Sequence, residues 1–381
     1  MHPSTGTGKL TVVIHTPRIR RGVETTALTS SVEKTTVAAI RIRPGLGRPR
    51  FGQPFDRSLE QGTPAALGRG VFTFSLDFEL GVAAIDDREL YHHLRPRIAG
   101  TSAAVRDLLK LLERYNVSAT WATVGHLFRD PGALDCEVDA WVEREMDREH
   151  LFAPALIEAI AACRVRQDIG CHTYRHINCA AAEYDDRVID DELRVCGLLS
   201  ERFGLKLRSF VFPFNRVGRL ELLAKHGYTS FRGSNSEWYT RGPGGRSRWA
   251  SRLRSTLKRL DDLAALPPPV DVPRRVPSGL WMIPHSMFYR GAGPDARWIG
   301  VGRQVAKAVR GLRRAVRRRG VFHLWTHPQN LGLGTAAALD GLEQIFKATD
   351  EYRRRGELDV VSMAELADRL NEHPSGVGKT C

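Results

Sequence analysis

The sequence predicts an α/β protein folded as a distorted (β/α) barrel of about seven parallel strands. Two observations predict this. After residue 70, short apolar runs alternate repeatedly with longer amphipathic stretches, and that alternation builds βαβ units whose strands pair in parallel. In addition, Asp77, Glu79, His172, Pro213 and His327 all stand at or just after the ends of apolar runs. In such a barrel the C-terminal strand ends are where distant parts of the chain meet to do chemistry.

VFTFSLD, bounded by Gly70 and Gly81, reads as the first strand. TSAAVRDLLKLLERY is an amphipathic helix with Val105, Leu108, Leu109 and Leu112 on one face. VSATWATVG is the next strand, and a helix near 151–163 leads to the short strand DIGCH. Residues 183–203 form a helix and RSFVFPF a strand. RVGRLELLAKHG is helical, ends at the C′ glycine Gly227, and is followed by the strand YTSFRG. Residues 232–277 break the rhythm with GPGGRSR, a basic helix-like stretch and PPPVDVP, and read as an insertion carrying one helix. SGLWMIP, a helix over 300–318, VFHLWTH, a helix over 335–355, LDVVSM and the helix AELADRLNEH resume the alternation.

The 381 residues suit one large domain or two ordinary ones, and 42% hydrophobic content supplies a sizeable core. Residues 1–70 hold 11 Lys/Arg against 4 Asp/Glu, half of the formal +14. They are rich in Gly, Pro, Thr and Arg and read as a basic, mostly disordered leader. The domain proper spans 71–372, and 373–381 is a flexible tail. With so much of the charge in the leader, and no aromatics interleaved among the basic residues, there is no strong case for nucleic acid as partner. No apolar run approaches the roughly 18 residues that span a bilayer, and no secretory signal is visible. A cytoplasmic protein is expected, with the cell envelope as alternative. The six cysteines form no C-x-x-C pair and read as reduced thiols.

One carboxylate and two imidazoles make half a hydrolytic metal site, which leaves a spare carboxylate and a spare histidine as base and acid. Asp77 and Glu79 end an apolar strand, where an acid faces the barrel mouth or leaves a charge buried. His172 and His176 are four apart, a spacing that lets both rings reach one ion when the segment turns. His323 and His327 share that spacing but lie along a strand, about 13 Å apart. His323 is therefore read as structural and His327, at the strand exit, as functional. Cys171 reads as a small buried residue. In helix 303–319, Val305, Val309, Leu312 and Val316 form the packing stripe, and the arginines form an outer face that could make peripheral contact with an anionic surface. Of Trp121, Trp281 and Trp325, at least two belong to the core.

Taken together, these motifs resemble the polysaccharide deacetylases of the NodB-homology type (carbohydrate esterase family 4), over about residues 71–370. SLDFELG stands at the family's first motif, HTYRH matches H-[ST]-x-x-H, FPFN sits at the third, and HLWTH at the fifth. The resemblance implies Asp77 as catalytic base and Glu79, His172 and His176 as ligands of a divalent metal, zinc before others. It implies His327 as general acid, and Pro213, Phe214 and Asn215 at the acetyl pocket and oxyanion. The arginine that steadies the base in the third motif is replaced by Val211, leaving Arg216 or Arg232 as its substitute. The implied activity is metal-dependent hydrolysis of N-acetyl (or O-acetyl) groups on a carbohydrate, an amino-sugar-containing glycan. The alternatives are an amidohydrolase of a small cyclic amide or acylated metabolite, and a glycan-binding domain without turnover.

Overall fold

The computed structural model describes residues 57–131, 139–234, 261, 264–296 and 298–372. Its strands are β1 (Thr63–Pro64), β2 (Gly70–Phe78), β3 (Ala119–Thr123), β4 (Asp168–Cys171), β5 (Ser209–Val211), β6 (Ser230–Gly233), β7 (Arg274–Arg275), β8 (Trp281–Pro284), β9 (Met287–Phe288), β10 (Val321–Thr326) and β11 (Leu358–Val360). All nine residues of β2 are buried. Strands of a parallel sheet are covered on both faces, so a continuous apolar run marks its centre.

The strand order is β1-β7-β8-β6-β5-β4-β3-β2-β10-β9, with β11 against the start of β2. From β8 through β6, β5, β4, β3 and β2 to β10 every pairing is parallel. The ring closes through the stretch that contains β8 and β9. Its first half pairs with β6 and its second half with β10, both in parallel. Between them, the N–H of His285 reaches the carbonyl of Gly233 at 3.1 Å, and that of Ser286 reaches His323 at 2.9 Å. Counting β8 and β9 as one lane, the barrel has the expected seven. β1 and β7 add an antiparallel margin outside it.

Residues 57–70, assigned to the leader from composition, are part of the fold. β1 pairs with β7, and the buried Glu60 accepts the backbone N–H of Ser234 at 2.6 Å. A two-residue edge strand and one acid have no periodicity to announce them. Residues 1–56 and 373–381, and most of the expected insertion with its basic helix, lie outside the described residues. The ends of that span, 232–233 and 274–275, belong to β6 and β7.

A helix at Arg88–Ala99, with Pro96 inside it, has no counterpart among the elements predicted from the sequence. Asp87 caps it by accepting the N–H of Leu90 at 2.9 Å. RVGRLELLAKHG is helical only over Leu220–Lys225, since Arg219 is left-handed at φ 56°. Helix Val301–Arg318 buries Gln304, Val305, Lys307, Ala308, Gly311, Leu312 and Ala315, a face rotated from the expected valine stripe. The small residues explain the rotation. A Cβ on Gly311 would stand 2.5 Å from the Phe322 ring, so the helix lies against β10 at a distance only glycine permits. The arginine face is partly occupied, since Arg310 and Arg314 donate to the carbonyls of Ala264 and Pro267, while Lys307 on the buried face pairs with Asp261. Among the described residues no helix is long and apolar enough to cross a membrane.

Between β2 and helix Thr335–Arg354, the Phe346 ring meets Phe72 and Phe74 edge-on at 6.3 and 5.6 Å, and all three are fully buried. Phe346→Ala is expected to lower unfolding free energy by about 3–5 kcal/mol in denaturant titration. Leu198→Ala, at a position 37% exposed, should cost less than about 1 kcal/mol.

Candidate active site

Period-two alternation turns Ser75 and Asp77 of β2 to the inside of the ring, while Phe72, Phe74, Leu76 and Phe78 join the main core cluster. Glu79 follows at the strand end, and Leu80 then turns the chain at φ 45°. His172 follows β4 directly. The loop beyond it has no helix. It turns through Thr173 (φ 60°) and His176 (φ 61°), which brings the two imidazole centroids to 5.0 Å. Glu192, fully buried on helix Asp186–Glu201, fastens that loop. It accepts the N–H groups of Tyr174 and Arg175 at 2.8 and 2.9 Å and the Arg175 Nε at 2.6 Å.

His172 Nδ1 donates to the carbonyl of Val211 at 2.7 Å. Its Nε2 is thereby left to face Glu79 Oε2, at 3.6 Å. His176 Nε2 lies 2.8 Å from the same oxygen. One ligand atom from each of Glu79, His172 and His176 falls within 4.8 Å of the others. One carboxylate and two imidazoles, with one tautomer set by a backbone carbonyl, fit a divalent cation of the zinc class.

Asp77 is 3% exposed and does not stand alone. Arg232, on β6 across the ring, grips it with both arms of the guanidinium, at 2.6 and 2.7 Å. The same guanidinium reaches Ser75 Oγ at 3.2 Å and Asn215 Oδ1 at 3.0 Å, and stacks on Trp325 with its carbon 4.2 Å from the ring centroid. The charge absent at Val211 thus reaches Asp77 from Arg232 and not from Arg216. Burial pushes the Asp77 carboxyl up, but the charge and hydrogen bonds of Arg232, helped by His327 and His172, bring it below the ordinary carboxylate value.

His327 sits at the exit of β10 with its Nε2 3.1 Å from Glu79 Oε1 and 3.8 Å from Asp77 Oδ2. Burial lowers its affinity for a proton, yet Glu79 and Asp77 outweigh that and hold it above the ordinary imidazole value. His323 is fully buried beneath the site, 2.7 Å from Ser75 Oγ. Burial first, then the charge of Arg232, keeps it neutral. Glu79 is pushed up by burial and brought well below the usual range by His327 and His176.

Pro213, Phe214 and Asn215 form the turn after β5. Pro213 is buried, Phe214 is 44% exposed with its ring 4.7 Å from that of His176, and both Phe214 and Asn215 are left-handed. Phe288, unnoticed in the sequence, faces His327 from the other side at 5.5 Å. Of the three tryptophans, Trp121 and Trp281 are core, and Trp325 lies under Arg232. Cys171 is buried, and it and the other described cysteines are free.

Residues 99–231 match the family model for polysaccharide deacetylase. The matched span contains His172 and His176 but not Asp77, Glu79, Arg232 or His327, which the barrel brings in from β2, β6 and β10. The fold of the barrel is shared with a Mycobacterium smegmatis structure described as a polysaccharide deacetylase (17% identity, TM-score 0.56, covering 84% of this chain and 99% of that one). A Pseudomonas aeruginosa PAO1 structure similarly described has 16% identity and a TM-score of 0.50, over 81% of this chain and 93% of that one. No match was found among curated proteins.

If the Asp77–Arg232 pair holds this part of the barrel together, Arg232→Met strands a buried carboxylate and should cost about 3–5 kcal/mol in denaturant unfolding. The double change Asp77→Leu with Arg232→Met removes both charges and should recover most of that loss. A double variant no more stable than the single one would show that the charge is not the cause.

Proposed function

We propose that this domain is a metal-dependent deacetylase that hydrolyses N-acetyl groups on an amino-sugar-containing carbohydrate. The observation that supports it best is the meeting of two separate functions at one strand-end cluster. Three metal-type ligand atoms lie within 4.8 Å of one another, and a carboxylate clamped by an arginine stands beside them. A divalent cation held by Glu79, His172 and His176, zinc by its donor set, would supply Lewis-acid polarisation of the acetyl carbonyl and activation of water.

The chain's own groups supply the proton transfers. Asp77, kept anionic by Arg232, takes the proton of the attacking water as general base. Arg232 fixes the direction in which that carboxylate points, because its two-armed grip leaves the group no rotation. His327, held towards its protonated form by the two carboxylates, gives a proton to the departing amine; a bound cation near Glu79 would oppose that tendency. A base biased to the anion and an acid biased to the cation, 3.8 Å apart, are the division of labour that an amide needs. Pro213 and the exposed Phe214 wall the acetyl side, with the backbone N–H at Phe214 as oxyanion donor. The bidentate pairing of Asp77 favours turnover over a binding module, which has no use for an oriented base.

Acetate release from a panel of N- and O-acetylated sugars, with metal content measured on the same sample, tests the proposal. Asp77→Asn should retain metal and lose at least about a hundredfold in kcat. His172→Ala should lose both. Acetate release that survives exhaustive chelation would sink the metal-dependent mechanism.

A further inference from the structure

Gln329 lies two residues beyond His327 in the same turn, is 4% exposed, and belongs to no part of the mechanism above. Its Nε2 is 3.1 Å from Glu79 Oε1. An ionised carboxylate only accepts hydrogen bonds, so the carboxamide must present its NH2 to Glu79. The two oxygens of Glu79 are thereby given different surroundings. Oε2 faces His172 and His176, and Oε1 faces Gln329 and His327.

Orienting Gln329 in this way leaves its own carbonyl, Oε1, buried and without a hydrogen-bond partner within the protein. A buried carbonyl without a donor is destabilising, and a leucine or methionine of similar size would avoid it. A residue present only to fill space would carry no such penalty. The turn is also rigidly placed. A Cβ on Gly332 would stand 1.9 Å from the carbonyl oxygen of Arg97, and one on Gly100 would stand 2.1 Å from the carbonyl oxygen of Gly332. The backbone that carries Gln329 is therefore seated directly on the junction after helix Arg88–Ala99.

We infer that Gln329 is a positioning residue for the metal: it holds Glu79 Oε1 away from the cation site so that Oε2 alone points at the two histidines. This rests on the metal-dependent reading proposed above. Glutamate has one more torsion than aspartate and can reach a cation with one oxygen or both. A donor fastened to Oε1 removes that freedom before the metal arrives, as outer partners of metal ligands do.

The test is zinc affinity, measured on the full chain stripped of metal by competition with a chelating dye. Gln329→Leu, which fills the space without donating, should weaken zinc binding about 10–100-fold, and Gln329→Met, closer in shape and equally without a donor, should weaken it to a similar extent. The metal-free variant should still melt in one cooperative transition, and saturating zinc should restore kcat. If Gln329→Leu fails to fold, Gln329→Met, which keeps the shape, decides the question. Zinc affinities within about threefold of the unaltered chain in a folded variant would overturn the role given to Gln329, well short of the usual outer-partner effect. If the unaltered chain binds no zinc, the metal reading fails and this inference with it.

Discussion

The ion pair of Asp77 and Arg232 lies in the interior of the ring, and much of the site's geometry depends on it. Neither charge could be there alone, because desolvation of an unpaired ion costs several kcal/mol. Together they link β2 to β6, strands that are not neighbours in the sheet. The guanidinium then serves as a hub, with Ser75 beside it, Asn215 on one arm and the Trp325 ring against its face. Each of those residues comes from a different strand or loop. Removing the pair would disturb the base, the turn after β5 and the β10 wall at once.

Glu79 has a different environment. Among the described residues no guanidinium is recorded against it, and its neighbours are three imidazoles and one amide. A buried carboxylate in that setting is balanced by a protonated imidazole or by a cation between the rings, which is why two acids one residue apart can do unlike work. The difference arises from what the far side of the barrel offers each of them.

Backbone conformation around the cluster follows the same logic. Of the nine non-glycine residues with positive φ among those described, Leu80, Thr173, His176, Phe214 and Asn215 surround it. Left-handed backbone is unfavourable for residues with a Cβ and persists only where surrounding contacts impose it. Here Glu192 fastens the 172–176 loop, and Arg232 holds Asn215. Aiming the side chains requires turns that regular structure cannot make.

The barrel, its seven lanes and the two histidines of HTYRH were legible because their signals are local: apolar runs of strand length, helical periodicity, and a spacing of four. Asp77, Glu79 and His327 were legible from their position at strand ends. The sequence also showed that no arginine stands in the third motif, but Arg216 and Arg232 were equal candidates. Only the closing of the ring through the stretch at β8 and β9 decided for Arg232, by placing β6 opposite β2. Glu192, Gln329 and Ser75 gave no signal at all, since a lone polar residue in a helix, turn or strand acquires its role from what faces it. Local periodicity determines which elements form and which way their side chains point. Which charges meet across the ring is decided by tertiary closure, because burial makes their pairing obligatory.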